Sequence, residues 1–331
     1  MPANRKPQTE QDMSSGALAA VVIGRNEGER LVRCLASLAG HMHPIIYVDS
    51  GSTDGSVAAA EAAGADVVAL DMDRPFTAAR ARNAGLARLD ELSQGAFVQV
   101  IDGDCELDPQ WPQTALDYMK AHEDVAAVAG RLRERFADAT LWNRLADREW
   151  DTPIGEISAI GGIAILRRAA IADVGGYRET LIAGEEPEMC LRLRRKGWKI
   201  WRLDADMAQH DIAMTRFSQW WRRARRYGHT LAEGVALHGD GPEQYCRSER
   251  RRALLWGGLL PLAAIAGPAM HPVFWLLWLL WPAQIFRLKS RGTTWEEATF
   301  LTLGKIPQMH GIVEYFFRRR RGLTPRIIEY K

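Results

Sequence analysis

The chain has 331 residues, of which 47% are hydrophobic and 25% charged, enough for one large catalytic domain and a further segment. Its 43 basic and 41 acidic residues give a formal net charge of +2, which does not favour a nucleic-acid-binding protein. The four cysteines are scattered without CxxC spacing, so we predict reduced thiols and neither a disulfide framework nor a zinc site. Residues 1–16 are polar and lack a secretory signal, and we expect a disordered leader.

From residue 17 onward, continuous apolar runs alternate with segments of helical periodicity. Runs that are apolar on both faces are typical of a mostly parallel sheet covered by helices, so the sequence predicts an α/β domain. The predicted strands of this first part are 17–23, 44–48, 65–70 and 96–101. Further along, the sequence predicts a helix over 109–122, strands over 125–129, 159–166 and 198–203, and helices over 189–196 and 217–233.

Polar side chains follow three of these runs, at Asn26-Glu27, at Asp49 and at Asp102-Gly-Asp104. The carboxyl ends of parallel strands are where open α/β sheets bind ligands. Two carboxylates one residue apart at a strand end repel each other, and a divalent cation beside a phosphate relieves that repulsion. Taken alone, the same residues also fit solvated turns, and Asp49 fits an Asx-turn or helix cap. The glycine-rich turn after Asp49 lacks the spacing of a Rossmann fingerprint or a P-loop.

The segment 253–286, here called the apolar hairpin, contains no acidic or basic residue apart from His271. Gly267-Pro268 and His271-Pro272 divide it into two pieces, each somewhat short of the roughly 20 residues that a spanning helix needs. Basic clusters flank both ends, which predicts that both ends lie on the cytoplasmic side. Two short spans and a re-entrant hairpin both fit this pattern. The tail that ends in the basic run 318–321 fits an interfacial segment on anionic lipid.

The order of VVIGRNE, YVDSGSTDGS, AARARNAG, VIDGDCELDP, a Gly-Gly segment and GEEPEMCLRLRRKGW resembles glycosyltransferase family 2. The resemblance covers residues 17–235 and implies a Rossmann-like A-type glycosyltransferase domain that uses a nucleotide-sugar donor and Mn²⁺ or Mg²⁺ and inverts the anomeric centre. The remaining residues, 236–331, form a predicted helical, membrane-associated region.

The resemblance also implies roles for individual residues. It assigns the nucleotide sugar to Asn26, Glu27, Asp49, Arg82, Asn83 and Asp102, the metal to Asp102, Asp104 and His210, and base catalysis to Glu186. Glu186 stands where the family has an aspartate, so Glu185 or Glu188 can share its role. Taken alone, Glu186 fits an acid in the first turn of a helix. Acceptor or diphosphate contacts are assigned to Gly161, Gly162, Gln219, Arg222 and Arg223; the last departs from the QxxRW motif of processive synthases, which has Trp there.

These features predict a membrane-associated glycosyltransferase with a cytoplasmic catalytic domain, most consistent with a bacterial inner membrane. We expect it to use a UDP- or GDP-sugar and a lipid-linked or membrane-proximal acceptor, in the synthesis of cell-surface polysaccharide or glycolipid. Two alternatives are a processive polysaccharide synthase and a catalytically inactive, membrane-anchored assembly subunit. One short hairpin argues against the first, and the intact Asp102, Asp104 and Glu186 argue against the second.

Overall fold

A computed structural model describes residues 18–92 and 95–323, so the predicted leader 1–16 lies outside the described residues. The chain divides into two compact units. The first takes the residues up to 137 together with 146–180 and 185–212, and the second takes 138–145, 181–184 and the residues from 213 onward. The predicted domain end at residue 235 lies inside a helix of the second unit, Phe217–His238. The predicted domain boundaries stay predictions.

The first unit is built on a mixed sheet in the order β3-β2-β1-β4-β8-β6-β9-β5, with β7 paired to β9. Its strands are β1 (Leu18–Gly24), β2 (Ile45–Asp49), β3 (Asp66–Ala69), β4 (Phe97–Asp102), β5 (Cys105–Leu107), β6 (Val125–Glu134), β7 (Gly155–Glu156), β8 (Ala164–Arg167) and β9 (Lys199–His210). The predicted parallel pairing holds for β3, β2, β1 and β4 and recurs between β6 and β9. Antiparallel pairs of β8 with β4 and β6, and of β9 with β5 and β7, make the whole sheet mixed.

The helices that cover this sheet follow the apolar periodicity of the sequence. In the first unit they are α1 (Glu29–Leu38), α2 (Ser56–Ala62), α3 (Ala78–Glu91), α4 (Trp111–Ala121), α6 (Arg168–Asp173) and α7 (Glu185–Arg195); α5 (Leu141–Glu149) belongs to both units. On α1 the buried side chains are Leu31, Cys34, Leu35 and Leu38, the one-face spacing of an amphipathic helix. β1 is buried along nearly its whole length, as a strand between two sheet neighbours and covering helices must be.

The register of the central strands sets the geometry of the candidate site. Gly24 at the end of β1 pairs with Asp49 at the end of β2, and Ile23 pairs with Asp102 at the end of β4. The polar residues that follow these strands therefore begin at one edge of the sheet, as the sequence predicts. The last long strand differs from the prediction: β9 continues through residue 203 to His210 and pairs with β6 and β5 along the way.

The second unit is helical. Its helices after α5 are α8 (Phe217–His238), α9 (Arg247–Leu254), α10 (Leu260–Ala266), α11 (Leu280–Lys289), α12 (Trp295–Leu303) and α13 (Lys305–Arg320). The helices α8 and α13 approach so closely that a Cβ on Gly228 would overlap the Gln308 carbonyl and a Cβ on Gly311 would overlap the Arg225 carbonyl. Glycine at these two positions lets the helix backbones touch.

The apolar hairpin of the sequence is a helical hairpin. Its first arm runs from the end of α9 through a π-helical turn over Leu255–Leu259, α10 and a 3₁₀ turn over Gly267–Ala269. Its second arm runs from a 3₁₀ segment over Pro272–Leu279 into α11. Among the described residues, one continuous helix, Arg247–Ala269, is long and apolar enough to cross a membrane by length and composition, with 22% of its most apolar window buried.

Candidate active site

Two loops at the ends of β1 and β2 hold each other in place. The Asn26 backbone N–H donates to Ser52 Oγ at 2.9 Å, and the Asn26 side-chain oxygen accepts from the Thr53 N–H at 2.7 Å. Asp49 Oδ2 accepts from the N–H groups of Gly51 and Ser52 at 3.0 and 2.9 Å. The Asp49 carboxylate therefore forms an Asx-type turn, and this turn fixes it, buried, at the sheet edge.

Tyr47 and Glu27 complete this corner. The Tyr47 hydroxyl donates to Asp49 Oδ1 at 3.1 Å, which leaves the carboxylate further acceptor capacity on that oxygen. Glu27 forms an ion pair with Arg30 at 2.8 Å, and its Cγ lies 3.3 Å from the position of a Cβ on Gly103. Glu27 thus packs between the end of β1 and the Asp102-Gly103-Asp104 segment.

A buried arginine gathers three of the predicted carboxylates. Arg82 lies on α3, and its guanidinium contacts Asp102 Oδ1 at 2.9 Å, Glu185 Oε1 at 2.9 Å and Glu186 Oε1 at 2.6 Å. Only 2% of the Arg82 side chain is exposed, whereas 40% of Asp102 is. We call these four residues the Arg82 cluster. One positive charge against three carboxylates leaves the cluster short of positive charge when all four groups are ionised.

Gly162 lies directly against the Arg82 cluster. Its carbonyl oxygen accepts from Arg82 Nη2 at 3.4 Å, and a Cβ there would lie 2.8 Å from that nitrogen and 3.0 Å from Asp102 Oδ2. A side chain at this position would therefore displace the guanidinium or the carboxylate. A Cβ at the adjacent Gly161 would meet no atom within 4 Å, so Gly161 borders open space.

Burial changes the acid–base behaviour of Glu186. Burial and the neighbouring carboxylate Glu185 raise the pKa of Glu186 from 4.5 to about 7, against the opposing charge of Arg82. The surrounding carboxylates raise the pKa of Arg82, so its guanidinium stays charged. A carboxylate with a pKa near neutral pH is suited to accept a proton during a reaction. Glu188, three residues from Glu185, is instead held in ion pairs with Arg178 and Arg192.

Asp104 and His210 form a second, separate pair. The residues Cys105 and His210 are directly opposite in the β5–β9 ladder, and His210 Nε2 lies 3.1 Å from Asp104 Oδ2. The indole of Trp150 meets the His210 ring edge to face at 4.9 Å between centroids. Trp150 was not predicted as a site residue, because the sequence around it gives no sign of a contact with His210, 60 positions later.

Ligand atoms of Asp104, Cys105 and His210 all lie within 4.8 Å of one another, which marks a candidate metal cluster in the described part of the chain. Mn²⁺ and Mg²⁺ prefer oxygen and nitrogen donors to sulfur, so Cys105, whose thiol pKa is raised by burial, is the weakest of the three candidate ligands. A carboxylate and an imidazole remain, and this pair of donors fits Mn²⁺. Asp102 is not a member of this cluster, because its carboxylate faces Arg82.

Two further predicted site residues, Asn83 and Gln219, have structural partners. Asn83 spans two chain segments: its amide donates to the Tyr177 carbonyl at 2.8 Å and accepts from the Tyr177 N–H at 2.9 Å. In the second unit, Gln219 Oε1 accepts from the N–H groups of Thr215 and Arg216 at the start of α8. Arg222, on the same helix, is exposed, and Arg223 is half-buried.

A sheet edge that gathers buried carboxylates, an arginine and a carboxylate–imidazole pair is typical of enzymes that act on phosphorylated substrates with a divalent cation. The chain belongs to glycosyltransferase family 2: a model described as Glycosyl transferase family 2 matches residues 20–175, and one described as Glycosyl transferase family group 2 matches residues 100–289, more than half of the chain. The predicted family is thereby confirmed. The mixed α/β sheet and its likeness to a solved mannosyltransferase structure confirm the predicted A-type fold class.

Individual relatives and solved structures agree with this family. The chain is 29% identical over 247 residues to the pre-mycofactocin glycosyltransferase of Mycobacterium tuberculosis, which covers 71% of this chain and 51% of the relative. The chain thus spans about half the length of this curated relative. The mannosyltransferase PcManGT from Pyrobaculum calidifontis, in complex with GDP-Man and Mn²⁺, shares the fold with a TM-score of 0.62, 17% identity and 90% and 87% coverage. GalNAc-T7 with UDP, GalNAc and Mn²⁺ gives a TM-score of 0.52, 15% identity and 71% and 51% coverage.

Proposed function

We propose that this protein is an inverting, metal-dependent glycosyltransferase that moves a sugar from a nucleotide-sugar donor to a lipid-linked or membrane-proximal acceptor. The observation that carries the proposal is that the first unit contains both a buried carboxylate of raised pKa, Glu186, and the carboxylate–imidazole pair Asp104–His210. Membership of the family and the relatives' printed names support a glycosyl transfer. The donor base stays open between UDP and GDP, because the two structural relatives carry one each.

In the proposed reaction, the acceptor hydroxyl attacks the anomeric carbon as the nucleoside diphosphate leaves from the opposite face. Glu186 accepts the proton of that hydroxyl, and the Arg82 guanidinium holds the Glu186 carboxylate at 2.6 Å. Glu185, which shares the same guanidinium, raises the proton affinity of Glu186 by repulsion. Asp49, Asn26 and Glu27 are proposed to contact the nucleoside, since their loops form the adjacent corner of the sheet edge.

Asp104 and His210 are the residues proposed to hold the divalent cation. When bound, the cation supplies positive charge for the diphosphate leaving group. Asp102, held by Arg82, is proposed to face the donor sugar or ribose. Asn83 is proposed to act indirectly: its hydrogen bonds to the Tyr177 backbone hold that loop against α3. Acceptor or diphosphate contacts of Gly161, Gly162, Gln219, Arg222 and Arg223 stay predictions.

A membrane-proximal acceptor is proposed from the apolar hairpin of the second unit. Large apolar side chains that a soluble protein buries are exposed along both of its arms. An enzyme that is held at a membrane meets lipid-linked acceptors at high local concentration.

The proposed donor site is tested without knowledge of the acceptor. We expect one of UDP, GDP, CDP and dTDP to raise the thermal stability of the detergent-purified protein in the presence of Mn²⁺. A hundredfold excess over Kd stabilises a protein by about 2.7 kcal/mol. Asp104→Ala should lose the metal-dependent part of this effect, whereas Asp117→Ala, which removes an exposed carboxylate on α4, should keep it. If no nucleotide stabilises the wild-type protein with metal, an inactive assembly subunit replaces the enzyme as the better proposal.

A further inference from the structure

The apolar hairpin has a root that packs on the protein itself. Ala253, Gly257 and Gly258 are buried, and a Cβ on Gly257 would overlap the Lys305 carbonyl at the start of α13. A Cβ on Gly258 would lie 3.2 Å from the Met309 side chain of the same helix. Ala253, Gly257 and Gly258 therefore pack within the second unit, and we call residues 253–258 the root of the hairpin. Leu254 and Leu255, on the other face of the root, are 38% and 41% exposed.

Beyond the root, the hairpin exposes large apolar side chains in both arms and at its tip. Between 53% and 83% of the surface of each is exposed: Leu259, Leu262, Ile265, Met270, Val273, Trp275, Leu276 and Leu279. Burying one such side chain gains about 1.5–3 kcal/mol. Several large apolar side chains exposed in one short segment mark a contact with a protein or a membrane.

Contacts between the two arms hold the hairpin together and pair one of its indole N–H groups. Trp278 Nε1 donates to the Ala264 carbonyl at 3.2 Å, which ties the second arm to the first. Trp256 and Trp281 meet at right angles with 6.3 Å between ring centroids. At the tip, Gly267 leaves room for the ring of Phe274, which a Cβ would overlap. Paired polar groups are what insertion into hydrocarbon requires.

The length of the free part matches half a bilayer. The first arm runs helically from Leu259 to Met270, about 18 Å at 1.5 Å per residue. The second arm returns through the eight-residue 3₁₀ segment Pro272–Leu279, about 16 Å at 2.0 Å per residue. Its continuation into α11 is not counted, because Trp281 already contacts Trp256 of the root. The hydrocarbon core of a bilayer is about 30 Å thick, so either arm crosses roughly one leaflet. The helix Arg247–Ala269 has enough residues to span only when its root, which packs on α13 through Gly257 and Gly258, and its arginines are counted.

The basic residues at both ends of the apolar hairpin indicate that it contacts a membrane. The exposed Arg251 and Arg252 precede the first arm, and the exposed Arg287 and Arg291 follow the second. Both ends of the hairpin thus carry positive charge, and its free part carries none apart from His271. Cationic groups at this position attract the phosphates of anionic lipid headgroups, each contributing about 1 kcal/mol. An apolar surface of a second protein chain would not need basic groups at both ends.

We propose that the apolar hairpin inserts into a single leaflet of an anionic bilayer, from the side of its basic flanks, and does not cross the membrane. This inference rests on the proposed membrane association and decides between the spanning and re-entrant forms that the sequence leaves open. In the inserted state, Met270 and His271 lie near the middle of the bilayer, and Arg252 and Arg287 lie among the headgroups.

The depth of the tip is tested by thiol labelling. Met270→Cys and Ser290→Cys, each at an exposed position, are made in a Cys246→Ser background, because the other three native cysteines are buried. The proteins are bound to preformed vesicles of equal parts phosphatidylcholine and phosphatidylglycerol, and a membrane-impermeant maleimide is placed outside or inside. We expect Ser290→Cys to react from outside, and Met270→Cys to react from neither side until detergent is added.

Reaction of Met270→Cys with the enclosed reagent would show a spanning hairpin and overturn the proposal. Protein that stays unbound to the vesicles, or that forms Met270→Cys cross-linked dimers instead of binding, would also overturn it. As a second test, Ile265→Arg should weaken vesicle binding on the order of a hundredfold, because a charge then enters the hydrocarbon. Val32→Arg, at an exposed position of α1, should leave it unchanged.

These outcomes are separate from those of the donor-site test. Vesicle binding with a protected tip, together with no nucleotide-dependent stabilisation, would remove the proposed transfer activity and leave the insertion in place. Nucleotide-dependent stabilisation, together with a tip that is labelled from inside the vesicles or a protein that does not bind them, would remove the insertion and leave the proposed transfer activity in place.

Discussion

Replacing Glu186 with glutamine removes a buried acid while keeping its size and a carbonyl oxygen that can face Arg82. In the wild-type protein, the pKa of Glu186 is about 7 when folded, against an ordinary value of 4.5. Between these two pH values, the folded state holds a proton that the unfolded state has lost. The stability that Glu186 contributes is therefore fully present below pH 4.5 and is lost as the pH rises through about 7.

The size of this loss follows from the two pKa values. Each pH unit between them corresponds to 1.36 kcal/mol, so the full effect is about 3 kcal/mol. The side chain of Glu186 is 11% exposed, so solvent screens the effect little. Between pH 5 and pH 8, the free energy of unfolding of the wild type should fall by most of this amount relative to Glu186→Gln.

The measurement is urea unfolding of both proteins at several pH values between 5 and 8. Comparison of the two proteins cancels the titration of histidines and other groups that they share. Glu61→Gln, which changes an exposed glutamate on α2, serves as the control and should follow the wild type. Parallel pH profiles for the wild type and Glu186→Gln would refute the claim that burial raises the pKa of this carboxyl group.

Three further outcomes follow from the same geometry. Transfer activity, measured as kcat/KM, should fall about tenfold per pH unit below pH 7, since the proposed base must be ionised; a flat profile down to pH 5 would exclude Glu186 from that role. Gly162→Ala should lower activity and cost about 1–3 kcal/mol in thermal unfolding, because its Cβ would press on Arg82; unchanged stability would mean that the loop yields freely. Gly257→Ala should be less stable than Gly258→Ala by about 1–3 kcal/mol, because only a Cβ at Gly257 would overlap a backbone carbonyl, that of Lys305. Equal melting temperatures of the two variants would contradict this close packing.

The first half of the fold was predictable because its signals are local. A run such as β1 is buried on both faces and therefore apolar at nearly every position, and α1 shows one apolar face. The end of β9 was not predictable in this way. Its last part, LDADMAQH, mixes charged and polar residues with two adjacent buried residues, Met207 and Ala208, and has no clear period of two. Continuation to His210 therefore depends on pairing with β5 and β6.

The candidate site was predictable as a set of residues but not as a set of contacts. Asp102, Asp104, Glu186 and His210 follow from strand ends and from the family resemblance. The partner of each carboxylate depends on residues far away in the sequence: Asp102 on Arg82 and Asp104 on His210. Spacing along the chain carries no information about such pairs.

Asp102 and Asp104 are only two positions apart in the sequence, but the turn between β4 and β5 gives their side chains different partners. β4 ends at Asp102, the Gly103 N–H donates to the Ile23 carbonyl at 2.8 Å, and β5 begins at Cys105. The turn thus changes the sheet neighbour of the chain between the two carboxylates. Asp102 stays beside β1 and meets the arginine of α3, whereas Asp104 directly precedes the β5–β9 ladder, in which Cys105 pairs with His210. The two acids that the sequence presents as one pair therefore have different electrostatic partners, a guanidinium for one and an imidazole for the other. Because of this difference, Asp102 contributes to the charges around the proposed base, Glu186, while Asp104, two residues later, contributes to the proposed metal site.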